Sequence, residues 1–356
     1  MAEGTVLIGM DLGSYKTSVA SSNGTRDTFL SAVGWPKDQI SRRMLGQDVV
    51  VGNDTVRHRL ALDVVRPFEK GVLKYSEQAD GGMTAESVEK HKEAARLVVE
   101  HAVGLMHAPK GTPIYGVIGA PARATKLKKR VLLDIAKSAF DAVFIVSEPF
   151  TIAFGMDYLT DTLVVDIGAG TTDLCPIFGT FPDEEHQVTV GMGGDHIDEA
   201  FHKAMCAEHP EIRMSINMAR DIKEKYGFVH ADDGKAIVTL PVEGKPKACD
   251  LTEPLKNACN LIVKPIAQAI CDLVWRFDGE FQQRLLNNIV LGGGGSQLRG
   301  LDRALEAALR EFSGGKVRKV NDAVFAGADG ALKLAQMMPP ESWAQGSYAQ
   351  PEKAAA

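Results

Sequence analysis

The stretch VDIGAGTTDL, residues 165–174, ends a strand-like apolar run at Asp166 and continues with small and hydroxylated residues. Near the N-terminus, GMDLGSYKTSV at residues 9–19 has almost the same outline, with Asp11 closing its apolar run. A glycine-rich turn after a strand exposes a row of backbone N–H groups, which can hold the negative charges of a phosphate chain. One D-x-G turn alone is ordinary turn chemistry. Two copies, each closing an apolar strand, predict that both grip a single nucleotide from opposite sides.

The other residues of the two turns fit the same chemistry. Glycine has no Cβ, so the backbone can approach a ligand closely, and hydroxyl groups add hydrogen-bond donors. The two aspartates cannot contact phosphate favourably themselves, and they make sense if a divalent cation lies between. Mg²⁺ retains several waters, so we expect Asp11 and Asp166 to hold it through that shell. The residues predicted to bind phosphate are Gly13, Ser14, Gly168, Gly170, Thr171 and Thr172.

The composition of the chain argues against several classes of protein. Its 356 residues suffice for two domains or one large one. A net charge of −6 gives no electrostatic argument for nucleic acid as a partner. The five cysteines are scattered without a C-x-x-C pair, which favours a reducing compartment over disulfides or a zinc site. No segment approaches the ~18 apolar residues of a membrane span, and no basic segment precedes the first strand. We therefore expect a cytoplasmic protein without a signal peptide or direct membrane insertion.

Strand-like and helix-like segments alternate along the chain, which predicts an α/β architecture. Because the strand–Asp–Gly turn occurs twice, we expect two similar domains. The first comprises residues 1–160 and 323–340, with a smaller, loop-rich insertion at about 34–72. The second comprises residues 161–322, with an insertion at about 194–250, and residues 341–356 are expected to be a disordered tail. One long helix is expected over residues 255–277, with Pro265 as a kink.

Two further segments are candidates for contacts with the rest of a nucleotide. NIVLGGGGSQLRGLD, residues 288–302, places four glycines between a strand and a helix, which permits the close approach of a flat ring. RDIKEKYGFV, residues 220–229, continues a helix that is predicted over residues 214–226 and is rich in alternating charges. Each has a simpler interpretation, namely a flexible loop for the first and a solvated helix face with charge pairs for the second.

Together with VSEPF at residues 146–150, these stretches resemble the actin, Hsp70 and sugar-kinase superfamily over nearly the whole chain and in the same order. Within it the chain is most similar to the bacterial actins. VLGGGGSQLRGLD resembles the adenosine loop of MreB-type proteins, and DIKEK resembles the corresponding helix of eukaryotic actin. GWPKD, GVIGAPARA, IVSEPF and VVDIGAGTTDLC are most similar to the filament actins of magnetosomes. The resemblance implies an actin-like, ribonuclease H-like fold, in which duplicated α/β domains flank a nucleotide cleft and each carries a smaller inserted subdomain.

The resemblance also implies a role for each residue. Asp11 and Asp166 match the aspartates of the two phosphate loops and would hold Mg²⁺, and Glu148 matches the residue that orients the attacking water. The alternative for Glu148 is a favourable charge in the first turn of a helix. Lys223 and Glu224 match positions near the ribose and adenine. The full set expected to contact ATP or ADP is Gly13, Ser14, Tyr15, Lys16, Gly168, Gly170, Thr171, Thr172, Lys223, Glu224, Gly293, Gly294, Gly295 and Ser296.

The function implied is ATP hydrolysis coupled to the assembly and disassembly of cytoplasmic filaments that organise or position magnetosomes. Expected partners are other copies of the chain and adaptor proteins, including magnetosome-associated ones, and not nucleic acid. A small-molecule kinase of the same superfamily is the alternative, and an Hsp70-like chaperone is disfavoured because only a short tail follows residue 337. The basic run TKLKKR at residues 125–130 is either a solvated helix face or a contact with a partner.

Overall fold

The computed structural model describes residues 4–69, 72–73, 85–122 and 126–344. The chain divides into two compact units. The first is Met1–Leu159 with Val324–Ala356, and the second is Thr160–Ala323. Each unit is built around a five-stranded sheet.

The first unit contains a long central sheet and a smaller strand-rich segment. Its described strands are β1 Val6–Leu12, β2 Lys16–Ser21, β3 Arg26–Leu30, β4 Val33–Pro36, β5 Val50–Val51, β6 Leu62–Val65, β7 Phe68–Glu69, β8 Val72–Leu73, β9 Ile114–Ala120 and β10 Ala142–Ser147. Its described helices, numbered along the whole chain, are α1 Gln39–Leu45, α2 Asp54–Arg57, α3 Ala85–Gly104, α4 Lys126–Ala136, α5 Glu148–Gly155, α12 Ala326–Met337 and α13 Pro340–Ala344.

The second unit repeats the pattern of sheet and helices. Its strands are β11 Thr162–Ile167, β12 Thr172–Ile177, β13 Val188–Val190, β14 Ile237–Val242, β15 Lys245–Asp250, β16 Ile289–Gly292 and β17 Val317–Lys319. Its helices are α6 Gly194–Glu208, α7 Ile216–Tyr226, α8 Thr252–Asn260, α9 Val263–Val274, α10 Gly279–Leu286 and α11 Leu301–Leu309.

The two large sheets have the same topology. Their orders are β10-β9-β1-β2-β3 and β17-β16-β11-β12-β13, so that in each an antiparallel meander is extended by two parallel strands. The repeated aspartates take equivalent places, because Asp11 of β1 lies opposite Gly119 of β9 and Asp166 of β11 lies opposite Gly292 of β16. The predicted duplicated α/β architecture is confirmed.

The central strands are apolar runs because helices cover them. β10 and β11 are buried along their whole length, as expected for strands of a sheet whose two faces are both packed. On β1, Gly9 brings α12 into direct contact with the strand, since a Cβ at this position would overlap the backbone of α12 at Ala328 and Leu332. This close packing places the first turn of α12 beside Asp11.

Several local predictions were wrong. Residues 34–72 are not merely loop-rich, because β4, β5 and β6 form a three-stranded sheet flanked by α1 and α2. The single helix expected over residues 255–277 is two helices, α8 and α9, and Pro265 is the third residue of α9, where no N–H donor is required. The tail expected to be disordered from residue 341 begins inside α13, where Trp343 is buried and stacks on Tyr115 with ring centroids 5.2 Å apart. Residues 345–356 lie outside the described residues, as does part of the basic run at 125–130.

Candidate functional site

The first glycine turn joins β1 to β2 at residues 13–15. Gly13 is required by close packing, because a Cβ there would lie 2.5 Å from the carbonyl oxygen of Lys16. Buried Ser31 fixes the turn: its hydroxyl donates to the carbonyl of Gly13 at 2.7 Å, and its N–H donates to the carbonyl of Tyr15 at 2.8 Å. In a trans peptide unit, a carbonyl and the N–H that follows it point in opposite directions. The N–H of Ser14 therefore points away from Ser31.

The side chains that follow this turn lie near the surface of the unit. Lys16 is exposed, and its ammonium lies 5.7 Å from the centroid of the Tyr15 ring. The guanidinium of Arg66 lies 4.8 Å from the same ring. Two cationic groups thus lie close to the Tyr15 ring, and this positive charge suits an anionic ligand nearby.

Asp11 and Glu148 lie together in the first unit. A hydrogen bond links their side chains. Burial raises the pKa of Asp11, and the hydrogen bond with Glu148 opposes that shift. Among the described residues, Asp11 Oδ1 is buried with no hydrogen-bond partner. Two adjacent carboxyl groups with such an oxygen fit a hard cation that prefers oxygen ligands.

The sequence analysis missed one residue of this cluster. Gly327, in the first turn of α12, lies against Asp11, since a Cβ on Gly327 would be 2.9 Å from Asp11 Oδ2. A glycine inside a helix gives no local signal of this contact, because Asp11 is more than three hundred residues away in sequence.

The second glycine turn joins β11 to β12 at residues 168–171, and α6 holds it from one side. The N–H groups of Gly194 and Asp195, at the start of α6, donate to the carbonyls of Gly168 and Ala169 at 3.0 and 2.8 Å. Because these two carbonyls face α6, the N–H groups of Ala169 and Gly170 point away from it. Successive N–H groups on one side of a turn form a concave site for an anion. This geometry fits the phosphate-binding role predicted for the turn.

The hydroxyl groups of this turn are engaged within the second unit. Thr171 donates to Asp173 Oδ2 at 3.0 Å, and Thr172 donates to the carbonyl of Met192 at 2.7 Å. Thr189 also donates to the buried Asp173. A threonine hydroxyl has one hydrogen to donate, so in this structure the backbone supplies the donors of the turn. The predicted contact of both threonines with phosphate stays a prediction.

The third glycine segment lies directly on Asp166. Gly293 has φ 70° and ψ 166°, and a Cβ there would overlap Asp166 Oδ1 and lie 2.5 Å from the carbonyl of Ile167. Gly295 packs on the side chain of Ile167 in the same way. Buried Ser296 donates its hydroxyl to the carbonyl of Gly293 at 2.7 Å, which closes the turn internally. Gly294 faces open space, with no protein atom of the described chain within 4 Å of a Cβ placed on it.

The predicted base-side residues lie on α7. Lys223 pairs with buried Asp198 of α6, with Nζ 2.7 Å from Oδ1, and Glu224 is exposed. Arg220 is buried and pairs with Asp198 and Asp195, so it is engaged within the protein. Burial raises the pKa of Asp198, and the neighbouring charges of Lys223 and Arg220 oppose that shift. The sequence analysis did not single out Asp195 and Asp198. Their D-x-x-D spacing at the start of α6 is the pattern from which they could have been predicted.

The predicted site residues therefore form two groups. In the first unit, Asp11 and Glu148 lie together beside the glycine turn at residues 13–15. In the second unit, Asp166 precedes the turn at residues 168–171 and contacts the glycine segment at residues 293–295. Helix α7 contacts α6, and α6 in turn donates hydrogen bonds to that turn. No helix within residues 4–69, 72–73, 85–122 and 126–344 is long and apolar enough to cross a membrane.

The repeated sheets and their paired acidic turns define an actin-like nucleotide-binding fold. The family model of MreB/Mbl protein matches residues 6–340. The chain belongs to the MreB/Mbl family of actin-like ATPases, which confirms the resemblance to bacterial actins and the actin-like fold.

Similar proteins include the actin-like protein MamK. The chain is 39% identical to "Actin-like protein MamK" of Paramagnetospirillum magneticum over 344 residues, which cover 97% of this chain and 96% of the relative. It is equally identical to MamK of Magnetospirillum gryphiswaldense, with 97% and 92% covered. The solved MamK double helical filament superposes with a TM-score of 0.86 at 38% identity, covering 94% of this chain and 100% of the other. A non-polymerising MamK mutant bound to AMPPNP gives a TM-score of 0.70 at the same identity and coverage.

Proposed function

We propose that this chain binds Mg²⁺-ATP, polymerises into filaments and hydrolyses the nucleotide as the filaments turn over. The observation that carries the proposal is the turn at residues 168–171, whose carbonyls are held by α6 while two N–H groups point away. The solved MamK mutant is bound to AMPPNP, and MamK itself forms a double helical filament. This chain matches both over 94% of its length.

Each unit carries a glycine turn that fits a phosphate group. The turns at residues 13–15 and 168–171 would bind the phosphates, and Gly294 leaves open space for a flat ring. Asp11 and Asp166 would hold Mg²⁺, which supplies positive charge to the phosphate oxygens when bound. Within the described residues no cluster of three or more acidic, histidine or cysteine side chains forms a metal site. Phosphate oxygens and water are therefore the expected remaining ligands of the cation.

Glu148 would orient the attacking water in hydrolysis. A carboxylate is a weak base toward water, so its main contribution is to place the water by accepting a hydrogen bond. Its position at the first residue of α5 fixes it on a rigid element beside Asp11. The N–H groups of the turns would stabilise the charge that develops on the transferred phosphate.

A small-molecule kinase is not favoured as the function. The relatives that match nearly the whole chain are filament-forming actins, whereas a kinase would require a second substrate site. The proposed setting is the cytoplasm, with copies of this chain as the main partner. Adaptor proteins and magnetosomes are the further partners that follow from the similarity to MamK.

Sedimentation of the full-length chain tests the proposal. With Mg²⁺ and ATP, the protein should pellet above a critical concentration, and phosphate should be released in parallel. The isosteric variant Asp166→Asn should lose metal-dependent phosphate release. A wild-type chain that stays in the supernatant at high concentration across a range of salt, without releasing phosphate, would contradict the proposal.

A further inference from the structure

A buried cluster of charged residues joins α6 to α7 beside the second glycine turn. Asp195 and Asp198 are three residues apart on α6, and Arg220 and Lys223 have the same spacing on α7. Residues three apart lie on the same face of a helix. The two helices thus present two acids to two bases.

The contacts within this cluster are short. Arg220 Nε donates to Asp198 Oδ2, and Nη2 donates to Asp195 Oδ1, each at 2.7 Å. Lys223 Nζ lies 2.7 Å from Asp198 Oδ1. Asp198 is 0% exposed and Arg220 is 4% exposed. Charges removed from water persist only when they are paired with good geometry, and the guanidinium fork suits two carboxylates at once. The cluster therefore fixes α6 and α7 in one register.

The same cluster is connected to the glycine turn. Lys223 Nζ donates to the carbonyl of Gly194 at 2.9 Å, in addition to its pair with Asp198. The N–H of Gly194 in turn donates to the carbonyl of Gly168. A continuous set of hydrogen bonds thus runs from Lys223 of α7 through Gly194 to the turn.

We propose that Arg220 and Asp198 are positioning residues for the nucleotide. They hold α6 against the turn at residues 168–171 and fix the position of the Lys223 ammonium, without contacting the nucleotide themselves. This inference rests on the proposed function, because it assigns a task to the same site. It differs from a purely structural role, in which loss of the cluster lowers the stability of the unit but leaves its affinity for ATP unchanged.

Two isosteric variants of the full-length chain test this role. Asp198→Asn removes the charge that pairs with both bases, and Asp195→Asn removes only the outer contact of Arg220. We expect the Kd for Mg²⁺-ATP, measured by calorimetry, to rise about tenfold in Asp198→Asn and by a smaller factor in Asp195→Asn. Hydrogen exchange should become faster in the peptide that contains residues 168–171 and stay unchanged at residues 13–15. The control Glu253→Gln, which removes the exposed partner of Lys256 on α8, should change neither quantity.

The outcomes separate the two proposals. If the wild-type chain binds ATP and a folded Asp198→Asn variant binds it equally well, with wild-type exchange at residues 168–171, the positioning role is wrong and the proposed function stands. If Asp198→Asn does not fold, the same comparison is made with Asp195→Asn, whose side chain is 35% exposed in the wild type. If the wild-type chain binds no ATP, the proposed function fails and this inference fails with it.

Discussion

The backbone at Gly293 can be adopted by glycine alone. Its φ of 70° and ψ of 166° lie in a region that side-chain-bearing residues avoid at a cost of about 1–3 kcal/mol. A Cβ would also overlap Asp166 Oδ1. We expect Gly293→Ala to lower the free energy of unfolding by about 3 kcal/mol and to weaken ATP binding, because Asp166 must move. Urea unfolding and titration with ATP measure the two effects.

Gly294→Ala is the matched control for that substitution. A Cβ at Gly294 meets no described protein atom within 4 Å, so stability should change by no more than about 0.5 kcal/mol. If the nucleotide ring lies against this glycine, the control will lose affinity for ATP while it keeps its stability. Equal losses of stability at Gly293 and Gly294 would contradict the assigned geometry.

At the scale of single residues, the sequence predicted the features that depend only on residues close together in the chain. The turns containing Gly13 and Gly168 follow from an apolar run, an aspartate and a glycine in sequence, all within a few residues. The pairing of Arg220 with Asp198 could not be predicted in this way, because the partners are 22 residues apart and belong to different helices. Periodicity shows which face of a helix is apolar, but not which buried charge will meet another.

Between elements, the contact of α5 with α12 depends on two glycines. A Cβ on Gly330 would overlap the carbonyl of Thr151, and one on Gly155 would lie 2.9 Å from the Cα of Gly330. Backbone atoms cannot relieve such an overlap by changing rotamer, as side chains can. We expect Gly330→Ala to lower the free energy of unfolding by about 3 kcal/mol, as measured by urea unfolding.

The same substitution should also reduce ATP hydrolysis. Glu148 begins α5, and Gly327 in α12 touches Asp11, so separating these helices disturbs the carboxyl pair. The control is Gly104→Ala at the exposed end of α3, where a Cβ meets no atom within 4 Å in the described chain. That variant should be as stable as wild type or slightly more so. A Gly330→Ala variant with wild-type stability would show that α5 and α12 can separate without cost.

Elements were predicted best where their periodicity is long and worst where they are short. The helix at α7 was expected from residue 214 and begins at residue 216. β12 was missed because its sequence, TDLCPI, contains an aspartate and a proline, both disfavoured in strands. Tertiary contacts override that preference: Asp173 is buried between two threonine hydroxyls, which satisfy its carboxylate.

For the whole molecule, duplication made the fold predictable. Two sheets of equal topology place Asp11 and Asp166 at equivalent positions, and a repeated turn in the sequence is the direct sign of that repeat. The surface residues that form a filament contact cannot be recognised from the sequence in this way, because they have no fixed spacing. Assembly is therefore best tested through the nucleotide site.

Glu148→Gln connects that site to the lifetime of the filament. The amide is nearly isosteric and can still hydrogen-bond to Asp11, so folding and ATP binding should be preserved. It places the attacking water less well, and we expect phosphate release to slow about 100-fold. A nucleotide can shift assembly only through a difference in affinity between the ATP and ADP states. Filaments of the variant should then persist after wild-type filaments have disassembled, as followed by sedimentation over time, whereas Glu253→Gln should behave as wild type. Phosphate release at the wild-type rate in Glu148→Gln would show that Glu148 has no role in hydrolysis. Rapid disassembly of its filaments without phosphate release would show that filament turnover does not depend on hydrolysis.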